Sequence, residues 1–206
     1  MKIAIISDIH DNLANLERFL VMFGQECEAL SASHENNRKV EPCGIICCGD
    51  VTTPETLEYL VERFDGLIKL VCGNMEIRRE EFAEVAKRHA NLEVFAEVGV
   101  WECPTSGVEQ KKSRAGLDLA FVHKPDRVEE LTLRRAQGKP YDFVFYGHTH
   151  KPWIKVEPDD RLLRVVQRRS SGTILANPGT LGGIFTASTF AVLETETGRL
   201  ELKKLY

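Results

Sequence analysis

The chain lacks any apolar run long enough to cross a bilayer; its N-terminal run of residues 3–6 is broken at once by Ser7 and Asp8. It also lacks the small-residue cleavage site of a secretory signal, so it is expected to open on its first strand and to stay in the cytoplasm. None of its 6 cysteines sits in a CxxC pair, which argues against a thiolate zinc site. Cys47, Cys48 and Cys72 lie inside apolar runs, and for all six, with Cys27, Cys43 and Cys103, reduced thiols are expected rather than disulfides. Positive charge is not in excess: 27 Lys and Arg against 31 Asp and Glu leave a net charge of -4. That removes any general electrostatic pull toward nucleic acid or an anionic membrane. Repeats, low-complexity tracts and domain linkers are missing too. The 206 residues, 43% hydrophobic and 28% charged, suit one domain with a sizeable core, spanning residues 1–206.

Strands are predicted where short apolar, β-branched runs occur, at residues 2–7, 45–48, 67–72, 94–101, 117–122 and 143–146. Leu13, Leu16, Leu20 and Phe23 recur at helical spacing behind a capping Asn12. Thr53 and Pro54 start a second helix, with Leu57, Leu60, Val61 and Phe64 on its buried face and Gly66 as its stop. Phe82, Val85, Ala86 and His89 mark a third helix, and residues 128–136 a fourth. Residues 25–42 are polar and irregular, a helix extension plus an excursion loop. Further strands follow at 153–156, 162–167, 173–176, 189–194 and 200–204, with Thr197-Gly198 as a hairpin turn. Alternating strand and helix over the first two thirds implies a largely parallel sheet with helices on its faces. The last third must form a second sheet or extend the first.

Histidine is scarce, and four of the 6 histidines fall into one ordered set. It reads Asp8-x-His10, Gly49-Asp50, Gly73-Asn74, His123, then Gly147-His148-Thr149-His150. Each cluster follows an apolar run. Open α/β sheets place ligands at the carboxyl ends of their strands, so one fold could gather residues this far apart in sequence. The members of Asp8/His10 and of His148/His150 are two residues apart, which puts both on one side of an extended segment. Carboxylate oxygen and imidazole nitrogen suit Zn, Mn, Fe, Co or Ni better than Ca. A carboxylate can bridge two cations about 3.5–4 Å apart, the arrangement that serves in-line displacement at phosphorus. Taken singly, Gly-Asp and Gly-Asn are ordinary turn dipeptides and a lone histidine is more often a satisfied or surface residue; the joint pattern carries the signal. His34 and His89 fall outside it, on the surface and on a helix face.

These motifs resemble the calcineurin-like metallophosphoesterase superfamily, and within it the small single-domain YfcE/MJ0936-type phosphodiesterase branch. Ser7-Asp8-Ile9-His10-Asp11-Asn12, Cys48-Gly49-Asp50 and Asn177-Pro178-Gly179-Thr180 extend the likeness over essentially the whole chain. The resemblance implies a four-layer α/β/β/α sandwich of two mixed β-sheets flanked by helices. It implies two divalent metal ions, manganese first, with Zn, Ni, Fe or Co as alternatives. One would take Asp8, His10 and His150, the other Asn74, His123 and His148. Asp50 would bridge them, a bridging hydroxide would attack phosphorus, and Asn74 would hydrogen-bond a phosphate oxygen. Asp50 and Asn74 are thus the catalytic candidates.

Two positions depart from the family pattern. Met75 stands where many members carry a proton-donating histidine, and Lys124-Pro125-Asp126 follows His123 where the branch usually continues Gly-His. The expected substrate is a small-molecule phosphate ester, more a phosphodiester than a monoester, because no second protein acid is evident. Arg78 is a candidate for the substrate phosphate, against a solvated helix face for Arg78 and Arg79. A non-catalytic interaction scaffold, such as the related retromer subunit Vps29, is the alternative. A nuclease is disfavoured: Arg161, Arg164, Arg168 and Arg169, with Lys155, are expected to cover a solvated strand face.

Overall fold

In the computed structural model, residues 1–32, 43–103, 116–133, 140–157, 159–168 and 172–206 are described. A seven-stranded sheet runs β10 (Val165–Gln167), β13 (Arg199–Lys204), β12 (Thr189–Glu194), β1 (Lys2–Ile6), β2 (Gly44–Cys47), β3 (Leu67–Val71), β4 (Leu92–Phe95). Its β1 to β4 half is parallel, and β12 joins it antiparallel to β1. A six-stranded sheet runs β5 (Val98–Cys103), β6 (Leu117–Val122), β7 (Phe143–Tyr146), β11 (Ile174–Asn177), β8 (Trp153–Val156), β9 (Asp159–Leu163). Here β6, β7 and β11 are parallel, while β5 and β8 pair antiparallel to their neighbours. Both sheets are therefore mixed.

Strand alternation assigns the layers. Ala4 and Ile6 of β1, Ile45 and Cys47 of β2, and Ile68 and Leu70 of β3 pack with the helices. Those helices are α1 (Leu13–Ala32), α2 (Pro54–Arg63) and α3 (Arg79–Arg88), which supply Leu16, Phe19, Phe23, Leu57, Leu60, Phe82 and Val85. On the opposite face Ile3, Ile5, Ile46 and Val71 meet Phe121, Phe143, Phe145 and Ile154 of the second sheet. The outer face of that sheet, with Ala120, Val144 and Leu175, is covered by Val128 of α4 (Val128–Leu133). The order is helix, sheet, sheet, helix, as the resemblance implied.

Local signals explain most element starts. Asn12 Oδ1 accepts the Asn15 N–H at 3.1 Å and opens α1, and Thr53 Oγ1 accepts from Thr56 N with Pro54 in the first turn of α2. Thr197 and Gly198 do turn the β12–β13 hairpin, pairing Glu194 with Arg199. Helix α1 absorbs residues 25–32 of the polar stretch; residues 33–42, with His34, lie outside the described residues, as do 134–136.

Several expectations need correction. The run 94–101 is not one strand: a bend at Ala96 and Glu97 separates β4 from β5, and the two lie in different sheets. The run 162–167 likewise divides at Arg164 into β9 and β10. Gly66 does not stop α2, which ends at Arg63 because Phe64 turns extended and lays its ring 5.9 Å from that of Phe23. Cys27 and Cys43 form a disulfide, Cα atoms 6.1 Å apart, joining α1 to the approach to β2; Cys47, Cys48, Cys72 and Cys103 are buried free thiols. Arg168 does not cover a solvated face but pairs with the buried carboxylate of Asp142; Arg169 lies outside the described residues. No described helix is long and apolar enough to cross a membrane.

Candidate metal centre

Five strands deliver the predicted residues to one edge of the sandwich. Asp8 and His10 follow β1, Asp50 follows β2, Asn74 follows β3, His123 follows β6, and His148 and His150 follow β7. Backbone bonds then zip the loops together. Asp8 N–H donates to Gly49 O at 2.9 Å, His10 N–H to Asp50 O at 3.1 Å, and Gly147 N–H to His123 O at 3.1 Å. The loops are bent to do this. Asp8, His10, Asp50, His148 and His150 all have positive φ, between 49° and 64°. For residues with a Cβ this conformation costs of order 1–3 kcal/mol each and persists only where the surroundings impose it. Gly147 is required by close approach, since a Cβ there would strike Ser7 Oγ and come within 2.9 Å of Asp8 Oδ2.

Two donor groups result. Asp8, His10 and His150 bring ligand atoms within 4.8 Å of one another, and so do Asp50, His123 and His148. In the first, His150 Nε2 lies 3.0 Å from Asp8 Oδ1 and 3.3 Å from His10 Nε2. In the second, His123 Nε2 lies 2.9 Å from Asn74 Oδ1, 3.2 Å from His148 Nδ1 and 3.4 Å from Asp50 Oδ2. Asn74 therefore joins the second group.

The far nitrogens fix the tautomers. His123 Nδ1 donates to Cys48 O at 2.8 Å, and His150 Nδ1 donates to Ile184 O at 3.2 Å. A carbonyl can only accept, so in the neutral ring each Nε2 keeps a lone pair aimed into the group, the usual orientation of a metal-ligating imidazole. Asp8 is fully buried, yet its Oδ1 has no hydrogen-bond donor. A buried carboxylate oxygen without a donor, facing the His150 lone pair, fits a divalent cation.

The electrostatics differ among the three buried groups. Burial pushes the Asp8 carboxyl above its ordinary value, and the nearby Asp50 charge adds to the rise. Burial also acts to raise Asp50, but the hydrogen bond with His123 and the Met75 N–H outweigh it and hold that carboxyl low. His123 is desolvated by burial, yet its bond and charge interaction with Asp50 keep it above the usual histidine value.

Other residues hold this edge in place, and one of them, Glu76, gave no signal in the sequence. Glu76 is buried and accepts the backbone N–H groups of Asp50, Val51, Thr52 and Gly73. Asp11 accepts from Thr53 and Thr56 at the start of α2. Asn177 donates to Gly147 O at 2.8 Å and to Thr149 Oγ1 at 3.0 Å, and Thr180 donates to Asp8 O at 2.8 Å. Arg79 reaches back to Gly73 O. Arg78 is exposed and pairs with Glu81 at 3.0 Å. Met75 offers its backbone N–H to Asp50 Oδ1 at 2.9 Å, and Lys124 is exposed. His89 caps α3 and lies 3.4 Å from Glu58, apart from the centre.

Known proteins share this fold. Residues 1–198 match the calcineurin-like phosphoesterase superfamily domain. The chain is 25% identical over 200 residues to phosphodiesterase MJ0936 of Methanocaldococcus jannaschii, covering 95% of this chain and 94% of that protein. Its fold is similar to that of an archaeal phosphodiesterase, with a TM-score of 0.68 at 22% identity and complete coverage of both chains. It is similar also to that of a metallophosphoesterase from Sphaerobacter thermophilus, with a TM-score of 0.56 at 20% identity over 100% of this chain and 88% of that one. With the family domain spanning nearly its whole length, the chain belongs to the calcineurin-like phosphoesterase superfamily.

Proposed function

We propose that the protein is a metal-dependent phosphodiesterase acting on small-molecule esters through two divalent cations. Asp8, His10 and His150 would hold one cation, and Asn74, His123 and His148 the other, with Asp50 shared between them. The observation that carries the reading is the donorless, buried Asp8 Oδ1, 3.0 Å from the Nε2 of His150, whose Nδ1 is already committed to the Ile184 carbonyl. When bound, the cations supply Lewis-acid activation of water and neutralise charge at phosphorus. Manganese is the cation the family resemblance names first, and a mixed oxygen and nitrogen set accepts Zn, Ni, Fe and Co as well; a cytoplasmic setting belongs to the same reading.

The protein groups have distinct tasks. Asp50 takes the Met75 N–H at Oδ1, which leaves its Oδ2 turned toward the second donor group. Asn74 has an amide with acceptor and donor ends, so its oxygen can serve a cation while its N–H donates to phosphate. Met75 has no proton to give, which favours diesters whose leaving groups depart without protonation. Arg78 reaches a substrate phosphate only by exchanging its exposed Glu81 partner, a change worth about 0.3–0.5 kcal/mol.

Hydrolysis of bis-p-nitrophenyl phosphate with added Mn²⁺ tests the proposal. Turnover that disappears with chelator is expected. No turnover with Mn²⁺, Ni²⁺, Zn²⁺, Co²⁺ or Fe²⁺, at confirmed metal occupancy, contradicts it and returns the chain to the scaffold reading.

A further inference from the structure

Phe185 is 94% exposed, more than any other large hydrophobic among the described residues. Its φ is 65°, a conformation that a bulky side chain rarely adopts. Burial does not explain it, and the loop around it is not loose. Leu181 N–H donates to Ser7 O at 2.8 Å and Gly182 N–H to Asp8 O at 2.9 Å. Asn12 donates to Gly182 O, and Asn15 to Leu181 O and Ser188 Oγ. Thr186 Oγ1 donates to His150 O at 2.8 Å, while His150 Nδ1 donates to Ile184 O. The loop is thus pinned to the Asp8–Asn12 segment and to His150, and it spends backbone strain to present one aromatic ring to water. That ring lies beside the first donor group, its centroid 5.8 Å from the His150 imidazole and tilted 32° from it.

Resting on the phosphodiesterase reading, we propose that Phe185 is a stacking platform for an aromatic ring carried by the substrate ester, an aryl group or a nucleobase. The charged centre holds the phosphate. Phe185 adds an apolar surface at the rim, and ring stacking on an exposed aromatic tolerates many ring types. The specificity it confers is for aromatic over alkyl esters.

Calorimetric binding to the Mn²⁺-loaded protein tests this apart from turnover. The probes are phenyl phosphate, thymidine 5′-monophosphate and methyl phosphate. Wild type is expected to prefer one or both aromatic esters over methyl phosphate, and the two arms tell an aryl from a nucleoside ligand. Phe185→Gly removes the ring and relieves the positive φ; it should cut that preference about 5- to 100-fold and should not lower the melting temperature. Phe185→Trp should keep the preference. An aromatic preference absent from wild type, or unchanged in Phe185→Gly, overturns the proposal. So does a wild-type dimer that Phe185→Gly disperses with the preference intact, since the ring would then face a second copy. Failure of the phosphodiesterase reading looks different: the Mn²⁺-loaded wild type then turns over no bis-p-nitrophenyl phosphate.

Discussion

Glu76 Oε2 accepts the backbone N–H of Asp50 at 3.0 Å, and the same carboxylate takes the N–H groups of Val51, Thr52 and Gly73. One buried side chain thereby ties the loop after β2 to the loop after β3, the two that present Asp50 and Asn74. Leaving a buried donor unpaired costs about 1–3 kcal/mol. Glu76→Ala should therefore lower stability by about 3–5 kcal/mol after partial relief by water. Glu76→Gln keeps one acceptor oxygen and should lose about half as much. Urea unfolding midpoints measure both, and equal stability of all three proteins would contradict the tie.

Two glycines make opposite predictions from the same substitution. Gly24 lies inside α1 with open space where a Cβ would go, so Gly24→Ala should stabilise by about 0.5–1 kcal/mol. Gly147→Ala would press on Ser7 and Asp8, and should destabilise by about 1–3 kcal/mol while weakening metal binding at Asp8. Melting temperatures should move about 2–4 °C per kcal/mol in a domain of this size, upward for the first variant and downward for the second.

The Cys27–Cys43 bond spans 16 residues of sequence. Thiol titration of the unreduced, unfolded protein should find four free cysteines, those at 47, 48, 72 and 103. A loop of this length stabilises by about 3 kcal/mol when closed, so Cys27→Ser should lower the unfolding free energy by about that amount. A count of six free thiols would remove the disulfide from the account.

What the sequence made legible follows from physics that is local along the chain. The seven ligand candidates could be found because each follows a short apolar run, and strand ends on one sheet edge converge. The caps at Asn12 and Thr53 were legible because capping is settled within three residues. The crossing between sheets was not. Residues 94–101 are continuous in composition, and only the strand pairing, β4 with β3 and β5 with β6, shows that the chain changes sheet after Glu97. Glu76 was invisible for a related reason: its four donors come from two loops, and nothing near it in sequence distinguishes it from a solvated glutamate. Arg168 was misread because its partner, Asp142, lies on the approach to β7, 26 residues away.

The central claim, two cations with Asp50 between them, is tested most directly by anomalous scattering from crystals grown with Mn²⁺. The account predicts two peaks per chain, one among Asp8, His10 and His150 and one among Asn74, His123 and His148, both within reach of Asp50. In Asp50→Asn it predicts a weakened or missing second peak. No peak at these residues, or a single peak unaffected by Asp50→Asn, would contradict it.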